Sequence, residues 1–157
     1  MPAPLCPIHS LPARFRESSA HIYQGRDYGP IWECPDPTCD ATVGCHPDGS
    51  PLGSLATKAL KRLRMTAHER FDTLWKPWEA QKLAYPEENR VIGKLRIAPR
   101  SRAYAWLAEQ LGIQTDACHI AMMDEATVVR AIAILDREKP TAATVRAWAK
   151  QNKVKAA

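Results

Sequence analysis

The sequence lacks several features that would assign a function at once. It has no apolar run approaching the ~18 residues that a membrane-spanning helix needs, and Met1-Pro2-Ala3-Pro4-Leu5 has neither the basic start nor the apolar run of a signal peptide. It also has no phosphate loop, no dinucleotide fingerprint, no Gly-x-Ser-x-Gly and no His-Glu-x-x-His. These absences argue against a membrane partner and against the common enzyme classes.

Two short stretches instead carry pairs of metal-binding side chains. Cys6-Pro7-Ile8-His9 and Cys34-Pro35-Asp36-Pro37-Thr38-Cys39 each place two ligands around a tight turn, and 24 residues separate His9 from Cys34. That interval suits two strands and a turn, which would bring the pairs together. Four such ligands match the closed tetrahedral shell of structural zinc, which leaves no open position for a hydrolytic water. We therefore predict Zn bound by Cys6, His9, Cys34 and Cys39, and we expect no catalytic residues.

The residues around the second pair resemble a known zinc ribbon. Tyr28-Gly29-Pro30-Ile31-Trp32-Glu33-Cys34, followed by Pro35, Pro37 and Cys39, is similar to the ribbons repeated at the C-terminus of bacterial type I topoisomerases. The likeness covers residues 6–43 and departs from the pattern at His9, where a cysteine is usual. Those ribbons bind single-stranded DNA, so the resemblance implies a nucleic-acid partner.

A wider resemblance extends over most of the chain. Its elements are Asp40 to Pro47, Pro51-Leu52-Gly53, Ala67-His68 with Phe71 to Trp75, Arg102 to Ala108 and Cys118 to Met122. They resemble a family of small zinc-finger-containing proteins of unknown function from bacteria and phages. The resemblance implies the fold and the metal, and it carries no activity. The stretch from Pro77 to Pro99 does not match the family's pattern and looks like an insertion.

The positive charge is unevenly distributed. The net charge is +5 overall, yet residues 1–56 carry three basic and six acidic residues, whereas residues 57–102 carry twelve basic and five acidic ones. A basic helix face can lie along phosphates, although many such faces are merely solvated. Together with aromatic side chains that could stack on bases or pack internally, this pattern predicts nucleic-acid contacts at Tyr23, Tyr28, Trp32, Lys58, Lys61, Arg62, Arg64, Arg100 and Arg102.

The predicted fold is α+β, with an N-terminal zinc ribbon of short antiparallel strands packed on a mainly helical body. Strands are expected within residues 12–16 with 21–23, 28–33 and 40–44. Helices are expected from Ser54 to about Trp75, from Pro77 through Ala84, after Ser101 up to Gly112, from Asp124 to about Glu138, and after Thr141. The predicted N-caps are Ser54, Ser101, Asp124 and Thr141, and Gly112 is predicted to terminate its helix. The segment 87–98 is ambiguous. The expected boundaries are a ribbon at 1–50, a helical body at 51–139 and a C-terminal helix with a basic tail at 140–157.

Two functions follow from these patterns. The first is a non-catalytic, zinc-binding accessory protein that binds single-stranded DNA or RNA. The alternative is a protein-interaction module, such as a phage-type inhibitor of a host nucleoprotein complex. Five cysteines, two of them in a metal-type pair, favour a reducing cytoplasm over a disulfide framework. An enzyme built on Cys45-His46 and Cys118-His119 is a weaker third option, and the sequence leaves the oligomeric state open.

Overall fold

The computed structural model describes residues 2–78, 80 and 99–152. The chain folds as two compact units, Met1–Leu63 and Arg64–Ala157. The first contains a three-stranded antiparallel sheet and the second is helical, so the α+β fold class is confirmed. The predicted boundaries at residues 50 and 139 stay predictions.

The sheet of the first unit is small. Strands β1 (Arg14–Arg16), β2 (Ile31–Glu33) and β3 (Thr42–Gly44) lie in chain order, with Phe15 opposite Trp32 and Trp32 opposite Val43. Each lies within a segment that the sequence predicted as strand. The buried core of this unit consists of Cys6, Ala13, Cys34, Ala41, Val43 and Leu55.

One strand prediction is wrong. His21 to Tyr23 form part of a turn instead of pairing with β1. The carboxylate of Asp27 accepts hydrogen bonds from the backbone N–H groups of Ser19 and Gly29, at 3.1 and 2.9 Å, and the buried Ser19 hydroxyl accepts one from the N–H of Tyr28. These side chains satisfy the local backbone, so the segment closes as a loop without a partner strand. We call residues 19–29 the hairpin loop.

Helix α1 (Lys58–Phe71) begins later than expected. Ser54 was predicted as its cap, but the hydroxyl of Thr57 accepts from the N–H of Leu60 at 3.1 Å. Ala56 is still extended, because it exchanges two backbone hydrogen bonds with Thr42. The helix starts only when that pairing ends. It runs to Phe71, and a 3-10 turn, Asp72–Leu74, follows it.

Residues 76–78 and 80 are also helical, where the sequence predicted a helix from Pro77. Further along the described part of the chain are helices α2 (Pro99–Leu111), α3 (Glu125–Glu138) and α4 (Ala142–Gln151), with 3-10 turns at Thr115–Ala117 and Ile120–Met122. The predicted caps Asp124 and Thr141 are confirmed, and Gly112 ends α2 with a φ of 68° as expected. Ser101 was wrong as the cap of α2, because Pro99 already occupies the first turn, where its missing N–H is not needed.

Apolar side chains from all these helices fill the core of the second unit, which includes the fully buried Phe71, Leu74, Leu107, Ile120, Val128 and Val145. Every helix among the described residues is too short or too polar to reach across a lipid bilayer. The segment 81–84 of the predicted helix from Pro77, and the ambiguous segment 87–98, lie outside the described residues.

Candidate metal centre

The four predicted metal ligands converge on one point in the N-terminal unit. Cys6, His9, Cys34 and Cys39 each offer one ligand atom, and these atoms all lie within 4.8 Å of one another. Cys6 and Cys34 are buried, whereas His9 and Cys39 are half-buried. Two sequence segments that are far apart in the chain therefore supply a single cluster.

Three of the distances between ligand atoms are close to those of a tetrahedral zinc shell. Zn–S bonds of about 2.3 Å and Zn–N bonds of about 2.0–2.1 Å at tetrahedral angles put two sulfurs about 3.8 Å apart and a sulfur about 3.6 Å from a nitrogen. Cys6 Sγ lies 3.8 Å from Cys39 Sγ, and Cys34 Sγ lies 3.6 Å from His9 Nδ1. Cys6 Sγ is 3.9 Å from the same nitrogen, so Nδ1 is the nitrogen of His9 that faces the sulfurs. The donor set and its spacing thus fit zinc.

Backbone turns hold each ligand pair in place. In the first pair, the N–H of Ser10 donates to the carbonyl of Cys6 at 2.8 Å, and Ser10 adopts a left-handed φ of 55° that folds the chain back after His9. In the second, strand β2 ends just before Cys34, and the N–H of Cys39 donates to the carbonyl of Asp36 at 3.1 Å. These turns make two knuckles whose cysteine and histidine side chains meet in the cluster.

The environment of the cluster favours the thiolate of Cys6 and disfavours that of Cys34. Burial raises the pKa of Cys6, but hydrogen bonds from the backbone of His9 and Ile8 outweigh burial and lower it to about 7. Burial raises the pKa of Cys34 to about 11, and the negative charge of Cys6 adds to the rise. The protein thus stabilises one thiolate and disfavours a second beside it. A divalent cation removes that conflict, because it stabilises several thiolates at once.

Asp36 is a further residue of this centre that the sequence reading did not single out. Its Oδ2 lies 3.9 Å from Nε2 of His9, the nitrogen that faces away from the sulfurs. Its Oδ1 accepts hydrogen bonds from the N–H and the hydroxyl of Thr38, at 2.8 and 2.6 Å, which fix the carboxylate. A carboxylate beside a ligating histidine orients the ring and raises its basicity. An acidic residue between the two cysteines was the signal for it.

The other two cysteines stand apart from the cluster. Burial raises the pKa of Cys118 to about 11, and burial also raises the pKa of Cys45, with the charge of Asp48 adding to it. Among the described residues, no second group of three or more Cys, His or acidic side chains has metal-binding spacing. The environments of Cys45 and Cys118 suit packing more than thiolate chemistry.

The predicted base-stacking aromatics fall into two environments. Tyr28 is 69% exposed and Tyr23 is 39% exposed, and their rings meet edge to face with centroids 5.0 Å apart. They line an open depression in the hairpin loop together with Ile22, Gln24 and Arg26. Trp32, in contrast, packs against the core, meets Phe15 edge to face and donates to the carbonyl of Gly49 at 3.0 Å.

The predicted phosphate-contacting side chains are likewise divided. Lys58, Arg62 and Arg100 are exposed, and Arg102 is half-buried. Lys61 donates to the hydroxyl of Thr42. Arg64 is buried, and its guanidinium donates twice to the carbonyl of Met123, at 2.6 and 3.1 Å. Arg64 is thus engaged inside its own unit, and contacts of these residues with nucleic acid stay a prediction.

Comparison with protein families agrees with the geometry. The family model of a zinc-finger-containing domain matches the sequence over residues 3–138, which is 136 of the 157 residues. The chain belongs to this zinc-finger-containing family. The family and the Cys6, His9, Cys34 and Cys39 cluster together identify zinc as the ion that the centre is suited to hold. The function of the family is unknown. No curated protein and no solved structure matches the chain. A bacterial or phage origin and the likeness to topoisomerase ribbons stay predictions.

Proposed function

We propose that the protein is a non-catalytic accessory protein that binds single-stranded DNA or RNA, with zinc as a structural ion. Cys6, His9, Cys34 and Cys39 would be its four ligands. Since all four positions of a tetrahedral shell are then filled by protein, no site remains for an activated water. The role of the ion is to hold the sheet and the hairpin loop in shape.

The observation that carries the proposal is the tyrosine pair of the hairpin loop. Tyr23 and Tyr28 expose their rings beside Arg26, on a loop fixed by Asp27 and the buried Ser19. Exposed aromatic rings beside a cation are the usual platform for unpaired bases, and each stacked base contributes about 1–3 kcal/mol. A rigid loop loses little conformational entropy when the base arrives.

Three exposed basic side chains supply the second part of the proposal. Lys58 and Arg62 in α1 and Arg100 in α2 would contact phosphates without reading the sequence. Their contribution would fall with salt, with a slope of about −0.7 in log–log units for each phosphate contacted on a single strand. Trp32 and Arg64 do not enter the proposal, because their polar atoms are bonded within the protein.

The test is fluorescence anisotropy with labelled oligo-dT and oligo-U at several salt concentrations. Tyr28→Ala should weaken binding by about 1–3 kcal/mol, roughly 5- to 150-fold in Kd. Tyr28→Phe is the matched control, since it keeps the ring and should bind like the parent. Equal affinity of Tyr28→Ala and the parent, or no binding to either oligonucleotide at low salt, would contradict the proposal.

A protein-interaction role is the second candidate. Leu5, next to the first knuckle, is 61% exposed, and Ile8, within it, is 56% exposed, in a segment whose net charge is negative. Exposed apolar side chains close together suit a protein partner better than a phosphate backbone. A parent protein that fails to bind nucleic acid while retaining its zinc would favour this role.

A further inference from the structure

The open depression of the hairpin loop is lined by polar side chains as well as by its two tyrosines. Gln24 and Arg26 line it, and both are exposed to solvent. Within the described part of the chain, neither of these side chains has a hydrogen bond or an ion pair. Asp27, the carboxylate of this loop, is occupied by the backbone N–H groups of Ser19 and Gly29. A ligand that enters the depression thus meets a guanidinium and an amide that are both available.

The tyrosine pair would fix the orientation of a base in this depression. The ring planes of Tyr23 and Tyr28 are 82° apart, with centroids separated by 5.0 Å. A flat base stacked on the more exposed ring of Tyr28 would therefore meet the ring of Tyr23 at its side, which limits its rotation. A base held in one orientation presents fixed edge atoms to its neighbours, and unpaired bases are recognised through their Watson–Crick and Hoogsteen edges.

The backbone at Gln24 is strained. Gln24 has a φ of 54° and Gly25 a φ of 88°, so two successive residues are left-handed. The N–H of Gly25 donates to the carbonyl of Ala20 at 2.9 Å, and the N–H of Arg26 donates to that of Tyr23 at 3.1 Å, which holds the turn in place. Glycine adopts this conformation freely, whereas a residue with a Cβ does not. Such strain is concentrated at functional sites, which directs attention to the side chain of Gln24.

We propose that Arg26 and Gln24 select an unpaired guanine that stacks on the tyrosine pair. This inference rests on the proposed function and deepens it, because it names the base. A guanidinium carries only donors, arranged as a fork, and guanine offers two neighbouring acceptors, O6 and N7. Arginine bound to these two atoms is the commonest specific contact between proteins and bases. The amide carbonyl of Gln24 would accept from the N1–H of the same base.

The other bases match this pair of side chains less well. Adenine carries an amino donor beside its N7 acceptor, so the fork of Arg26 can bind only one of the two atoms. Cytosine and thymine have a single ring, which offers less area for stacking on Tyr28, and stacking strength is a source of base preference in single strands. Guanine alone combines the larger stacking area with two acceptors for the arginine.

The experiment measures fluorescence anisotropy of the full-length, zinc-loaded protein with labelled oligo-dT that carries one central guanine, adenine or cytosine. The parent should bind the guanine strand roughly fivefold or more tightly than the other two, which is the lower limit for one bidentate contact. A strand with 7-deazaguanine, which lacks the N7 acceptor, should lose most of this advantage.

Two substitutions test the two side chains. Arg26→Lys keeps the charge but removes the fork, so it should bind the guanine, 7-deazaguanine and adenine strands about equally. Gln24→Gly removes the amide where glycine is unstrained, so zinc and the urea midpoint should be retained while the guanine preference falls about twofold or more. Arg14→Lys changes an exposed arginine of strand β1 and is the matched control, which should keep the preference.

The outcomes separate base selection from binding itself. Equal affinity of the parent for the three strands overturns the selection of guanine, while the Tyr28→Ala result still decides nucleic-acid binding. A guanine preference that survives in Arg26→Lys also overturns the proposal, and a uniform loss of affinity in that variant would assign Arg26 to the phosphate backbone. A preference that is unchanged in Gln24→Gly, or lost together with the zinc, overturns the role of Gln24.

Discussion

The two units of this protein are stabilised by different means. The N-terminal unit has three strands of three residues each, and two of the six buried side chains of its core belong to the candidate metal centre. In the helical unit, residues such as Phe71, Leu107 and Val128 are completely buried. A sheet this short is marginal in water, whereas packed helices gain free energy from apolar burial. The first unit should therefore depend on its ion, and the second should not.

The largest expected effect is the loss of a zinc ligand. Cys34→Ser should abolish stoichiometric zinc binding and unfold the sheet, because structural zinc contributes on the order of 10 kcal/mol to folding. Metal analysis should fall from one zinc per chain to none, and hydrogen exchange should rise in residues 2–57 while α3 stays protected. Cys45→Ser, outside the cluster, should keep its zinc. Retained zinc in Cys34→Ser would show that this sulfur is not a ligand.

A core truncation in the helical unit should have the opposite pattern. Phe71 is fully buried, with its ring centroid 4.3 Å from that of Tyr104. Phe71→Ala should cost about 3–5 kcal/mol of unfolding free energy, measured by urea, since it leaves a cavity. Met65→Ala changes an exposed side chain of the same helix and should cost less than about 0.5 kcal/mol. If Phe71→Ala released zinc under native conditions, the two units would not be independent.

The smallest effect concerns Asp36. Asp36→Asn removes the charge beside His9 and keeps an oxygen for Thr38, so zinc affinity should fall about tenfold, in competition with a chelating dye. Asp48→Asn is a close control, because Asp48 accepts from the N–H and hydroxyl of Ser50, at 2.9 and 2.5 Å, as Asp36 does from Thr38. Equal affinities for the two variants would remove Asp36 from the metal centre.

Local sequence signals predicted some elements better than others. The caps Asp124 and Thr141 and the stop at Gly112 were found because each acts on its own helix turn. Ser54 and His21 to Tyr23 were misread, since the outcome depended on distant partners. Ala56 pairs with Thr42, and Asp27 with Ser19 closes the loop. The helix and strand propensities of the residues themselves carry no information about those contacts.

The zinc ligands show the same division between what is encoded locally and what folding decides. Spacing alone predicted Cys6, His9, Cys34 and Cys39 as ligands, since two side chains around one tight turn must lie close together whatever the rest of the chain does. Only the tertiary structure decided three other features. It decided which nitrogen of His9 faces the sulfurs and how Asp36 reaches the other nitrogen. It also decided that Arg64 lies inside while Arg100 stays exposed. Those outcomes depend on side-chain directions and burial between segments far apart in the chain, and a linear sequence does not state either.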